Sequence, residues 1–418
     1  MLEFGDSELA SKRRVVDVKK DEYGTYEDVK TAYSDGKGGG IFKLSAIKGG
    51  YVDYAMILVV FFLAIFGLIM LFSTSSYEAG LKFDDQAFYL KKQIKAVIVG
   101  IAGMFFISVF PDYHFYKKIS LPFYLFAMGM VLLIIPFGSE AKGAKRWLRI
   151  GGLSIQPAEI VKIAIIIFAV SVICVMRDKA ASWKGMGVFM LTVLPPVLMI
   201  FKITSNFSSA AIILGIAAVI LFVATPGYAK FILMVAGGVA LIYGGIYYIL
   251  NYADPSSSFR FARIYAWNDI EAYADSQGYQ TLQSLYAIGS GGIFGKGLGQ
   301  SMQKTGFIPE AQNDMIFSII CEELGIFGGI AVILMFFLLL WRMMIVANNA
   351  PDLFGSLIVV GVMGHIALQV VLNIAVVTNV VPNTGITLPF ISYGGSAVVM
   401  QLAEIGMVMN VARRIKTV

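Results

Sequence analysis

The sequence predicts an all-α, polytopic integral membrane protein with about ten transmembrane helices and a long extracytoplasmic loop between helices 7 and 8. Three observations carry that expectation. Of 418 residues, 58% are hydrophobic and 14% charged, where a soluble domain carries about 25% charged residues; the mean hydropathy is +0.76. Apolar stretches with few or no charges recur at 54–74, 96–110, 119–138, 153–176, 185–201, 207–226, 231–252, 315–341, 354–377 and 386–412. All but the second have roughly the 17 to 25 residues that a helix needs to cross the hydrocarbon core. Finally, the connection 253–313 is far longer than a turn between neighbouring spans.

Taken in order, residues 1–50 hold nine basic and nine acidic residues, with Gly38, Gly39 and Gly40 and few large apolar side chains. That composition predicts a flexible tail ahead of a membrane domain over 51–418. The tail lacks a charged start followed by an apolar core, so no cleaved signal peptide is expected and the first apolar helix acts as the insertion signal. The second run is short, but Lys91, Lys92 and Lys95 ahead of it extend it if their ammonium groups snorkel. Cys174 and Cys321 both lie inside apolar runs, which argues against a disulfide framework and a cysteine metal cluster.

An even number of spans puts both termini on one side. With the tail inside, the inner connections hold ten Lys and Arg and the outer ones thirteen, and the tail's nine restore the inner excess, so both termini are expected to be cytoplasmic. The formal net charge is +6. The outer cations fall into two groups: Lys142, Lys145, Arg146 and Arg149, and then Arg260, Arg263, Lys296 and Lys304. An anionic ligand at the outer face accounts for both groups, and so do lipid phosphates.

The first group sits in a cationic loop, 143–156, ahead of a helix expected to start near Pro157. Trp147 reads first as an interfacial anchor and second as a ligand contact. Glu159 and Lys162 share one helix face three residues apart, and inside a membrane they need to be paired or in a wet cavity. The glycine-rich stretch 287–300 fails the phosphate-loop spacing, because Ser290 stands where its first glycine belongs and Gly297 follows Lys296. It reads as tight turns or a close backbone approach, and no nucleic acid partner is expected.

Asp314 precedes the eighth apolar run, where an aspartate is commonly a helix N-cap. Glu310 before it, and Glu322 and Glu323 after it, raise the expectation of a carboxylate-lined cavity. His365, Gln369 and Asn373 form a polar stripe on the ninth span. Interhelical hydrogen bonding is favoured there over a proton relay, since His365 has no acidic neighbour on its own helix. The tenth run opens with Pro389, Ser392, Gly394 and Gly395, which predicts close helix contact or a broken helix facing a cavity.

These motifs together resemble the SEDS family of FtsW, RodA and SpoVE, over essentially residues 50–415. The resemblance rests on GAKRWLRIGGLSIQPAE at 143–159, YQTLQSLYAIGSGGIFGKGLGQS at 279–301, PEAQNDMIFSIICEELG at 309–325 and GITLPFISYGGS at 385–396. The stretch Lys82 to Asp85 and details of the third motif are closer to the FtsW and SpoVE branch. The resemblance implies a peptidoglycan glycosyltransferase of the cytoplasmic membrane that polymerises lipid II for septal wall synthesis. It also implies a class B penicillin-binding protein, the transpeptidase, as partner, with other division or elongation proteins and membrane lipids around it. The family's essential aspartate falls on Asp314, its motif tryptophan on Trp147, and the cations of the long loop on Arg263 and Lys304.

On that reading the diphosphate leaving group of the donor needs cations, for which Lys145, Arg146, Arg263, Lys296 and Lys304 are the candidates. Asp314 is the expected general base, acting on the 4-hydroxyl of the incoming sugar. Glu310 is expected beside the substrate, and a divalent cation, Mg or Mn, could sit between Glu310 and Asp314. Glu159, Lys162, Asn373, Ser392, Gly394 and Gly395 are expected to line the cavity. One departure stands out: where relatives carry an aspartate at the start of span six, this chain has Asn206. A lipid II flippase and an inactive scaffold that recruits the transpeptidase are the rival functions.

Overall fold

The computed structural model describes residues 52–141, 144–150, 153–225 and 228–415; the tail expected over 1–50 lies outside them. Among the described residues, ten helices are long and apolar enough to cross a membrane. Each coincides with one of the ten predicted runs.

Helix α1 (Tyr54–Phe83) opens on Asp53, whose Oδ1 accepts from the Met56 amide at 2.9 Å. Helix α2 (Phe88–Val109) is longer than its apolar run because exposed Lys91, Lys92 and Lys95 form its first turns. Lys91 reaches Asp85 at 2.8 Å and Lys92 lies 4.1 Å above the Phe88 ring, so both ammonium groups are served away from the apolar core. Helix α3 (His114–Leu132) continues into the single turn α4 (Ile134–Phe137).

The expected cationic loop is instead a small antiparallel sheet, β1 (Gly138–Ala141), β2 (Ala144–Ile150) and β3 (Leu153–Ile155), in the order β1-β2-β3. Trp147 pairs with Ser139, and Leu148 with both Gly138 and Ile155. A period-two pattern underlies the charges: Leu148 is buried, whereas Lys145 and Arg149 are exposed. The fourth run is thus split between β3 and helix α5 (Pro157–Met176).

Helices α5 and α7 (Phe207–Ala224) pack with α12 (Leu353–Val377) in the interior of the bundle, and α6 (Trp183–Ile203) lies against α5 and α7 with much of its surface exposed. Asn206 is the N-cap of α7, its Oδ1 accepting from the Ser209 amide at 3.1 Å. Asparagine caps a helix as well as aspartate does, so this part of the position's role survives the departure. Helix α8 (Tyr228–Tyr252) is long and apolar enough to cross a membrane, and none of its apolar stretch is buried against the other described residues. The long connection that follows carries α9 (Phe259–Asn268) and α10 (Tyr279–Gly291).

Helix α11 (Ile316–Asn348) is broken at Gly325, with φ of 71°. The glycine-rich loop docks at the break: the Lys296 and Gly297 amides donate to the Glu322 and Glu323 carbonyls, both at 2.9 Å, and the Ile326 amide to the Gly292 carbonyl at 3.0 Å. A Cβ on Gly295 would stand 2.2 Å from the Glu323 carbonyl oxygen, so the motif serves close backbone approach. At its other end α11 is tied to α1, because Arg342 donates to both Asp53 carboxylate oxygens at 2.9–3.1 Å. Helix α13 (Gly395–Ala412) is shorter than the tenth run: residues 386–394 are unwound, with Phe390 at φ of 62°.

Candidate active site

Asp314 is delivered by a tight turn. Glu310 adopts φ of 50°, its carbonyl accepts from the Asn313 amide at 2.9 Å, and its Oε2 accepts from Asn313 Nδ2 at 2.7 Å. The N-cap of α11 is Met315, with no side-chain cap bond. The N-cap role expected for Asp314 is therefore not what the structure contains. Its main-chain carbonyl is fixed by Asn373 Nδ2 at 2.8 Å, and its half-buried carboxylate accepts from Gln280 Nε2 at 3.4 Å.

Three guanidinium groups gather at the same face. Arg263, on α9, lies within electrostatic reach of Asp314, donates to the Asn383 carbonyl at 3.1 Å and stacks 4.4 Å from the Phe259 ring centre. Arg146, on β2, donates to the Thr204 and Ser205 carbonyls at 3.2 and 3.1 Å. Arg260 lies 4.7 Å over the Phe201 ring. Burial, then the charge of Arg260, press the Arg146 guanidinium below its ordinary range; burial, and more weakly Arg146, do the same to Arg263 against the opposing pull of Asp314. These carbonyl and ring partners are neutral, and apart from the pull of Asp314 on Arg263 the cluster keeps a positive charge suited to a polyanion. Arg263, Trp267, Gln277, Thr281 and Asn383 line a small recess beside it.

The other predicted cations are placed differently. Lys145 is exposed on β2, and Trp147 is half-buried in the same strand, its carbonyl accepting from Ser139 Oγ at 3.1 Å. Lys296 pairs with Glu322 at 2.7 Å and Lys304 with Glu323 at 2.7 Å; both carboxylates are 0% exposed. Glu322 also accepts from Ser301 and from the Met302 amide, and Glu323 from Ser73 Oγ. These two lysines are committed to buried carboxylates, and Arg260 joins the cluster in the place expected for them. Because Lys304→Ala strands the Glu323 charge in the core, we expect it to cost about 3–5 kcal/mol, read as a lower midpoint of thermal unfolding in detergent; an unchanged midpoint would refute the pairing.

Glu159 and Lys162 do pair, at 2.8 Å, with Lys162 2% exposed. Asn373 also donates to the Ile386 carbonyl at 2.6 Å, Gln369 to the Thr387 carbonyl at 3.0 Å, and Gln401 Oε1 accepts from the Phe390 amide at 3.1 Å. The polar stripe thus satisfies the backbone of the unwound segment. Ser392 Oγ accepts from the Leu388 amide at 2.8 Å, and Gln93 Oε1 accepts from the Gly394 amide at 3.2 Å, just ahead of Gly395 at the start of α13. His365 has the acidic neighbour missing from its own helix: Glu404 of α13, at 2.8 Å and equally buried. Sequence patterning along one helix has no means of finding such a partner.

Among the described residues, no group of three His, Cys, Asp or Glu side chains is gathered to hold a metal ion. Glu310 and Asp314 supply at most two carboxylates, which is no closed cage for a resident cation.

The profile of the FtsW, RodA and SpoVE family, described as "Cell cycle protein", matches residues 53–417. Stage V sporulation protein E of Bacillus subtilis (strain 168) is 37% identical over 371 residues, 86% of this chain and 97% of that protein. A probable peptidoglycan glycosyltransferase FtsW of Geobacter sp. (strain M18) is 35% identical, over 88% of this chain and 98% of the relative. Among solved structures, a chain from "Structural coordination of polymerization and crosslinking by a peptidoglycan synthase complex" superposes with a TM-score of 0.72 at 24% identity, over 87% of this chain and 98% of that one. The rod shape determining protein RodA of Thermus thermophilus superposes with a TM-score of 0.62 at 22% identity, over 88% and 98%. At such identities these structures speak for the fold.

Proposed function

The chain belongs to the FtsW, RodA and SpoVE family of cell cycle proteins, and on that premise we propose that it is a peptidoglycan glycosyltransferase that polymerises lipid II into β-1,4 glycan strands. The observation that carries this reading is a single carboxylate, Asp314, set against a cluster of three guanidinium groups at one face of the bundle. The donor leaves as a polyprenyl diphosphate. Its departure needs charge stabilisation, which Arg146, Arg260 and Arg263 supply through donors fixed before the substrate arrives. Asp314 takes the proton from the attacking 4-hydroxyl of the incoming lipid II sugar, and attack at C1 inverts the α-linked donor.

The site works at the outer face of the cytoplasmic membrane with both termini cytoplasmic, as the Lys and Arg distribution indicates. A class B penicillin-binding protein is the expected partner, in keeping with a fold neighbour from a peptidoglycan synthase complex, and septal synthesis is the expected setting. A Mg or Mn ion at Glu310 and Asp314 would take most of its shell from water and diphosphate oxygens. Chelation with EDTA is then expected to lower polymerisation, with recovery on adding either metal; full activity in EDTA would remove the ion from the reading.

The deciding assay is lipid II polymerisation by the purified chain, alone and with its cognate transpeptidase, resolved as a glycan ladder. No ladder under any partner or metal condition would overturn the proposal, and a lipid II flipping assay would then separate transporter from scaffold.

A further inference from the structure

Among the described residues, α8 packs chiefly against α9, and no part of its apolar stretch is buried. The two helices meet at a corner that Tyr265 closes. Its Oη lies 2.7 Å from the Ala253 carbonyl oxygen, 2.8 Å from that of Ile249 and 3.2 Å from that of Leu250. These carbonyls belong to the last turn of α8 and the residue after it, where a helix runs out of its own donors. A phenol carries one proton, so it donates to one of the three at a time, with all of them within its swing. The ring is half-buried, with that of Tyr273 6.5 Å away between centres.

The opposite side of α9 carries the arginines of the site. Arg260, Arg263 and Trp267 follow one another at three and four residues and share a face, while Tyr265 falls midway between the last two and on the other side. On the shared face Arg263 and Trp267 donate to the Asn383 and Asn379 carbonyls, both at 3.1 Å, and Arg260 lies over Phe201. Helix α9 has ten residues, of which Ala266 alone is buried, so apolar packing gives little resistance to a roll about its axis. A roll of about 10° would carry a side-chain tip some 6 Å from the axis through about 1 Å, enough to cost about a hundredfold in a reaction that depends on fixed donors.

We propose that Tyr265 is the positioning residue of the arginine cluster, hooking α9 to the end of α8 so that Arg260 and Arg263 keep one direction. The inference rests on the glycosyltransferase reading and deepens it, since the group those arginines would meet is the diphosphate of the donor. Held from one side only, α9 is free to roll; held by Tyr265 on the other side as well, it presents both guanidinium groups together.

The test titrates farnesyl diphosphate, a short-chain prenyl diphosphate, into the purified full chain, wild type and Tyr265→Phe, and follows lipid II polymerisation by both with the transpeptidase. Tyr265→Phe keeps the ring and removes the donor, so the thermal midpoint is expected to move little. The dissociation constant for farnesyl diphosphate should rise about fivefold to tenfold, and kcat/KM should fall about tenfold to thirtyfold. Because Tyr265 acts through the cluster, adding Tyr265→Phe to Arg263→Gln should cost at most about threefold more, whereas independent effects would multiply. An unchanged dissociation constant in Tyr265→Phe, or losses that multiply with Arg263→Gln, would make the hydroxyl merely structural and overturn the proposal; so would a wild type that does not bind farnesyl diphosphate. A wild type that binds it and forms no ladder overturns the activity reading instead, and the titration then still decides the role of Tyr265.

Discussion

Asp314→Asn is expected to abolish the glycan ladder, with a loss of at least about a hundredfold and up to about ten thousandfold, the usual contribution of a positioned general base. The substitution keeps the shape of the side chain and removes its capacity to accept a proton. Helix α11 is not capped by this side chain, and Asn373 holds the main-chain carbonyl of residue 314 in place. We expect the variant to retain its thermal midpoint while losing polymerisation. A variant that polymerises at the wild-type rate would remove Asp314 from the chemistry. A variant that unfolds would assign it a structural role.

The second large effect belongs to Arg263. Arg263→Gln is expected to lower kcat/KM by about a hundredfold to a thousandfold, because a fixed donor to developing negative charge is lost. Arg263→Lys should recover only part of that, since an ammonium cannot reproduce the planar fork of a guanidinium. Stability should respond differently. Burial disfavours this charge and Arg146 adds repulsion, while Asp314 favours it, so neutralising it is expected to change the thermal midpoint little. Losing activity while keeping stability marks a group placed for a ligand. If Arg263→Gln instead unfolds the protein with kcat/KM per folded molecule intact, the cluster is structural. The contrast with Lys304 is instructive: there a lysine is spent on a buried glutamate, and its loss is felt in folding.

Much of the architecture is legible in the sequence because a membrane helix writes itself as an apolar run of fixed length. All ten predicted runs have a helix, and even the lysine-rich start of α2 follows from snorkelling. The small sheet was hidden because its seven-residue central strand alternates under a mask of cations, Lys145, Arg146 and Arg149. Asp314 was legible through its motif and its place at the head of a span. The fates of Lys296 and Lys304 were not, because charge counting cannot tell an open cation from one facing a buried carboxylate 26 or 19 residues away in the chain. Gln280 and Asn383 carry no charge and lie over a hundred residues apart. Only the folded arrangement makes them neighbours of Asp314 and Arg263.

The break at Gly325 also bears on how the chain is made. The carbonyls of Glu322 and Glu323, left open by the broken helix, are taken up by the amides of Lys296 and Gly297, and their carboxylates by Ser73, Lys296, Ser301 and Lys304. Each of these partners precedes residue 322 in the chain. During vectorial synthesis they have left the ribosome before the eighth span does, so a segment with two carboxylates and a gap in its hydrogen-bond ladder need never rest unmatched in lipid. The order of the residues along the chain is thus also an order of assembly.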